Sequence, residues 1–154
     1  MVTVISNDLF NQGNLNNLME LNTTEYIHVS SKVRKLAIIN LGMTDSELNS
    51  IKSVPASLNL FNKGFNNKVL ASLENDCCIL TSGSLSKNEI AKVVENIKPL
   101  IGKMKLIGIG VGKEILMEAS NQTGWESMSD HSINTDLNMV GFDSNLASLV
   151  DVLK

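Results

Sequence analysis

Arginine is almost missing from this 154-residue chain: Arg34 is the only one, and the formal net charge is −3 with a pI near 5.3. A chain that neutralises nucleic-acid phosphates needs a positive face, so nucleic acid is excluded as a first partner class. Aromatic residues are scarce too, at 4 %. No apolar run approaches the ~18 residues of a membrane span, and the opening MVTVISNDLF has no basic stretch leading into an apolar one. Neither a membrane partner nor a secretory signal is expected. With two histidines and no Cys-x-x-Cys, no ligand set for a metal is visible, and no cofactor is implied. Cys77 and Cys78 are adjacent, and adjacent side chains of an extended strand point to opposite faces, so a disulfide between them would be strained. Two small buried hydrophobes in a reduced, cytoplasmic chain are the expectation.

Asparagine is abundant, with nineteen residues. Hydrophobic residues at 43 % against 19 % charged supply enough apolar surface for a folded domain without metal or disulfide staples. Asparagine is read here as a surface residue, so its concentration in the opening segment, in 59–67 and in the polar stretch after 120 marks peripheral pieces around a core. The expected organisation is an N-terminal extension (1–33), a core (34–119), and a polar arm with a C-terminal helix (120–154).

The opening piece reads as strands at Val2–Ile5 and Tyr26–Val29 flanking a weak helix. Leu36-Ala37-Ile38-Ile39 is an apolar run of strand length ending at Gly42. Thr44-Asp45-Ser46-Glu47 reads as a capping box, and Leu48, Ile51, Pro55 and Leu58 continue one helix face, with a break expected near 53–54 where Pro55 removes a donor. Val69, Ala71 and Leu73 alternate, as do the residues of 77–81, so a hairpin is expected with Glu74, Asn75 and Asp76 as its turn. A second capping box, Ser86-Lys87-Asn88-Glu89, opens a helix carrying Ile90, Val93, Val94, Ile97 and Ile101. A strand follows from Met104 to Val111, then a short amphipathic piece, 114–119, a polar loop, and a last helix capped by Asp143. Strand, helix, strand, strand, helix, strand predicts an α+β, ferredoxin-like βαββαβ core with an N-terminal extension and a C-terminal helix.

Few residues suggest chemistry. Gly108-Ile109-Gly110-Val111-Gly112-Lys113 fails as a phosphate loop, because Ile107 stands where the leading glycine belongs and Glu114 follows the lysine. The alternative is a strand whose glycines let a helix or a neighbouring protomer come close. Asp130 and His131 lie in the polar arm beside Ser129 and Ser132, but adjacency in sequence does not make a triad. Trp125, the only tryptophan, could anchor an interface or fold back onto its own domain.

The run Asp76 to Ser86, the helix after it and the strand after Gly102-Lys103-Met104 resemble the second half of the bacterial microcompartment shell domain. Ala37 to Glu47 is similar to the first core strand and helix start of its circularly permuted members. The resemblance covers residues 36–112; Pro55, the lack of an alanine-rich first helix and the C-terminal 40 residues depart from it. It implies a non-enzymatic shell or scaffold subunit that self-associates as a cyclic homo-oligomer, with Glu74, Asn75 and Asp76 near a pore. A different reading is an ACT-like regulatory domain binding a small molecule at the glycine turns, with Gly42, Thr44, Gly83 and Ser84 as its contacts. A third is a small enzyme whose polar arm closes Trp125, Asp130 and His131 over a pocket.

Overall fold

In this computed structural model the described residues are 2–6, 26–30, 34–52, 56–73, 75–128 and 131–142. They form one nine-stranded sheet, with strands β1 (Val2–Ser6), β2 (Tyr26–Ser30), β3 (Arg34–Ile39), β4 (Ala56–Phe61), β5 (Cys77–Leu80), β6 (Lys105–Ile109), β7 (Glu126–Ser127), β8 (His131–Asn134) and β9 (Met139–Phe142) in the order β1-β2-β4-β3-β5-β6-β9-β8-β7. The five central strands, β4-β3-β5-β6-β9, are mutually parallel. Helices α1 (Asp45–Lys52), α2 (Asn67–Ser72), α3 (Lys87–Ile97) and α4 (Val111–Ala119) follow β3, β4, β5 and β6 in turn. The chain leaves β3 toward β4 and then returns past it to β5, so taken alone the parallel strands have the doubly wound order 2-1-3-4-5.

Alternation along each central strand divides the core in two. Leu36, Ile38, Leu58, Leu60, Cys77, Ile79, Ile107 and Ile109 pack on one face with Met43, Leu48 and Ile51 of the α1 segment. Ala37, Ile39, Cys78, Leu80 and Leu106 face the other way, against Leu70, Val93, Val94, Ile97, Ile115 and Leu116 from α2, α3 and α4. A parallel sheet covered on both faces leaves its strands no polar side, and residues 77–80 are accordingly all buried. The adjacent cysteines are buried thiols on opposite faces, as their strand position predicts. Burial pushes the Cys78 thiol well above the ordinary range, with the neighbouring Cys77 adding to it.

The α+β character holds, and so do both opening strands, β3, and both capping boxes. Thr44 N–H donates to Glu47 Oε1 at 3.0 Å while Glu47 N–H donates to Thr44 Oγ1 at 3.2 Å. Ser86 and Glu89 repeat the exchange at 3.1 and 3.2 Å. The ferredoxin-like arrangement does not form. Its antiparallel hairpin at 69–81 is replaced by α2, which is followed by a parallel β5. Asn66 explains the change: its side chain accepts from Lys68 N–H and Val69 N–H, and this N-cap starts a helix where alternation suggested a strand. Helix α1 ends at Lys52, and Leu58, expected on that helix face, lies in β4. The expected long strand 104–111 stops at Ile109, and α4 starts at Val111, ahead of the expected 114. The polar arm is built into the sheet: β7 and β8 pair antiparallel, β8 pairs β9, and β9 lies parallel to β6. Strand pairing thus carries the sheet across both expected boundaries, at 33/34 and 119/120. The expected helices within 7–25 and after Asp143 fall outside the described residues.

Asparagine is not confined to the surface. Asn40, Asn59, Asn75 and Asn134 are all buried. Each has polar partners: Asn59 Nδ2 donates to Asn75 Oδ1 at 2.5 Å, and Asn134 Nδ2 donates to Thr123 O at 2.8 Å. Buried amides are tolerated when their hydrogen bonds are made, and here they tie loops to strands.

Candidate site at the carboxyl edge of the sheet

In an open parallel sheet, ligands bind beyond the carboxyl ends of the strands, near the point where strand order reverses. That point lies between β3 and β5, and the loops leaving them are sewn together. Leu41 N–H donates to Thr81 Oγ1 at 2.9 Å, and Thr81 N–H donates to Ile39 O at 3.1 Å. Asn40 Oδ1 accepts from Gly42 N–H and Met43 N–H, each at 3.0 Å, turning the chain into α1. Ser82 Oγ donates to Glu47 Oε2 at 2.5 Å, joining the loop after β5 to the first turn of α1. Gly83 sits hard against Leu41, where an added Cβ would lie 1.9 Å from the Leu41 carbonyl oxygen.

Beside this seam a cleft of about 300 Å³ opens between the loops after β3 and β4, lined by Asn40, Leu41, Gly42, Asn62, Lys63 and Gly64. Lys63 on its rim is ion-paired with Glu89 in the first turn of α3. The Lys63 ammonium, together with the backbone and hydroxyl of Ser86, pulls the Glu89 carboxyl down from about 4.5 to about 2. A depressed carboxylate stabilises the fold above its unfolded value and loses that contribution as pH falls toward its folded one. Glu89→Gln keeps the cap acceptor and removes the charge. The difference in urea midpoint between the parent and Glu89→Gln should be constant above pH 5, shrink between pH ~4.5 and ~2, and vanish below. A pH-independent difference would show that the charge contributes nothing.

The second feature of this edge is the connection from β6 into α4. Gly110, between them, has φ 57° and ψ −115°, the conformation at the first central position of a type II′ turn, which glycine enters freely. A Cβ on Gly108 would lie 2.5 Å from the Gly112 carbonyl carbon, and one on Gly112 would lie 2.3 Å from Leu80 O. The glycines therefore do what close helix approach requires: α4 crosses β6 and β5 at backbone contact and lifts residue 110 to the edge. This is the strand, sharp turn and helix of a nucleophile elbow, G-x-Nu-x-G, with glycine at the central place. Lys113, in the first turn of α4, lays its stem over Gly141 of β9, where an added Cβ would lie 2.5 Å from Lys113 Cγ.

The structure gathers one group of predicted residues and scatters the others. Gly42, Thr44, Gly83 and Ser84 come to the same edge, and a Cβ on Gly42 would meet Gly83 Cα at 3.3 Å and Ser84 N at 3.5 Å. Asn75 and Asp76 lie at the opposite, amino end of β5 and form no hairpin turn. Asn75 is buried, and Asp76 exchanges hydrogen bonds with Lys35 at 2.8 and 3.1 Å. Glu74 and Asp130 lie outside the described residues. Trp125 folds back: its Nε1 donates to Ser120 Oγ at 2.8 Å and its ring packs on the α2–α4 side of the sheet. His131 stacks on Phe142, centroids 5.7 Å apart, and Phe142 belongs to the α1 side. Trp125 and His131 therefore do not meet over a pocket. Asn40, Thr81 and Ser82 are edge residues to which the sequence gives no site role, and Glu47 and Gly110 enter it only as a helix cap and as part of a glycine run. Among the described residues, no three His, Cys, Asp or Glu side chains cluster to hold a metal, and no helix is long and apolar enough to cross a membrane.

No family model matches the chain. It is 24 % identical over 111 residues to the carbamoyl phosphate synthase small chain of Clostridium acetobutylicum, a match covering 72 % of this chain and 32 % of that one. The small chains of Clostridium perfringens and Lactococcus lactis subsp. cremoris are each 23 % identical, over 96 and 116 residues, covering 62 % and 75 % of this chain and 28 % and 32 % of theirs. The chain thus spans about a third of the length of the curated relatives it matches. Its fold resembles that of a crystal structure described as a GMP synthase subunit from Thermoplasma acidophilum, with a TM-score of 0.60 and 8 % identity over 74 % of this chain and 84 % of that one. Each name describes one chain or subunit of an enzyme. These relatives, named as chains of an enzyme, overturn the expected shell or scaffold function, and the βαββαβ plan behind the ACT-like reading does not form.

Proposed function

We propose that this chain is an enzyme-subunit domain of amidotransferase type, binding the amide of a nitrogen donor at the carboxyl edge of its sheet and working with another chain. The observation that carries the reading is the match to three carbamoyl phosphate synthase small chains. The products named for the relatives, carbamoyl phosphate and GMP, share a nitrogen-bearing carbon: a carbamoyl amide in one, an exocyclic amine in the other. An amide that can surrender its nitrogen, such as glutamine, is the chemistry common to both. The edge offers such a ligand a small cleft, mostly apolar in surface, whose lining includes Asn40 and Asn62 and which carries the Lys63 ammonium on its rim.

Self-association into a homo-oligomer is compatible with this reading, and sedimentation velocity reads it directly. The ligand is tested by thermal unfolding. Binding to the native state alone raises apparent stability, so saturating L-glutamine should lift the Tm by about 2–4 °C for each kcal/mol of binding linkage, and D-glutamine should not. An unchanged Tm with both enantiomers sinks the reading.

A further inference from the structure

We propose that the elbow of this chain is unarmed: Gly110 stands where such a turn presents its nucleophile, so a ligand at the carboxyl edge is held and released without covalent attachment to the chain. The identity of that ligand rests on the amidotransferase reading; the state of the elbow rests on the turn itself. An elbow needs two things from sequence, small residues on either side so that helix and strand can cross, and a reactive side chain at the apex. The chain keeps the first in full, since Gly108 and Gly112 meet at backbone contact. It lacks the second, because Gly110 adopts φ 57° and ψ −115° and carries no side chain.

No thiol substitutes for the missing group. Cys77 and Cys78 begin β5 at the far, amino end of the sheet and are buried, and burial holds the Cys78 thiol protonated. A thiol must be an accessible thiolate to attack. The hydroxyl of Ser82, at the same edge, donates to Glu47, and that of Thr81 serves the Leu41 amide.

The first measurement uses the unaltered chain. Incubated with L-glutamine, it should release no glutamate or ammonia above the buffer blank, and its intact mass should show no adduct. Release of glutamate, or an acyl adduct at any residue, overturns the proposal; if Ser82→Ala abolished it, Ser82 would be the nucleophile. The second measurement arms the turn with Gly110→Cys and follows alkylation by iodoacetamide, in which the thiolate sulfur bonds the methylene carbon, iodide leaves and the thiol proton passes to solvent. Residue 110 should alkylate at least ~10-fold faster than Cys77 or Cys78, with a half-maximal pH below the ordinary ~8.5, because the start of α4 favours the thiolate. A thiol at 110 that reacts no faster than the buried pair shows that the turn does not present its apex, and overturns the proposal. If Gly110→Cys does not fold, the unaltered chain decides alone. The two readings fail separately: absence of a glutamine-dependent Tm shift counts against the ligand, whereas the alkylation result concerns only the turn.

Discussion

Replacing Gly83 with alanine should cost about 3 kcal/mol, the upper end of what overpacking a close contact costs. The new methyl carbon would sit 1.9 Å from the Leu41 carbonyl oxygen and 2.4 Å from its carbon, so backbone, not a flexible side chain, has to give way. Two loops would have to separate, and those loops hold the switch point. For a chain of this size the loss corresponds to a fall in Tm of about 6–12 °C. The glutamine-dependent shift should fall as well, because Gly42 of the cleft packs directly on Gly83. A Tm within ~1 °C of the parent would mean that the loops after β3 and β5 do not cross this closely.

The same contact shows how far the sequence can be read. Glycine at 42 and 83 is identifiable as a pair of turns, and Thr44 and Ser86 as helix starts, because caps and turns are written in local side-chain chemistry. Topology is not legible, and one element accounts for most of that. Val69, Ala71 and Leu73 recur at the two-residue spacing of a strand, yet the segment is too short for either periodicity to decide. The informative residue is Asn66, a helix cap hidden among many asparagines. Read as a helix, α2 restores strict alternation of strand and helix from β3 to α4, and such alternation gives a parallel sheet; read as a strand, it gives a hairpin and an antiparallel one. The polar arm misleads for a related reason. Ser132 and Asn134 are buried polar residues within a strand, and their sheet is completed by β6, remote in sequence, so composition points to a loop where tertiary contacts make a sheet edge. The glycine run at 108–112 does serve close helix approach, as its spacing suggests. Its role as an elbow requires knowing that the chain turns at Gly110 toward the carboxyl edge, which depends on the parallel topology.

Thr81→Val should destabilise the fold by about 2 kcal/mol although it keeps the side chain's shape, because a buried donor left without an acceptor costs about 1–3 kcal/mol. Thr81 is fully buried, and its hydroxyl is the acceptor for Leu41 N–H at 2.9 Å while donating to Ser82 O at 3.1 Å. Valine fills the same space and offers neither. Thr81→Ser is the complementary change: it keeps the hydroxyl and loses one methyl, worth about 1 kcal/mol of buried apolar surface. The order parent, Ser, Val in urea midpoints is therefore the expected result. The reverse order would show that packing, not the hydrogen bond, fixes the loop. The distinction bears on the site, because β3 and β5 stay paired through their backbones in both variants, while only Thr81→Val removes the acceptor that ties the loop at Leu41. Thr81→Val should thus loosen the cleft at Asn40–Gly42 and weaken the glutamine response more than Thr81→Ser does, coupling the stability of the seam to occupancy of the edge beside it.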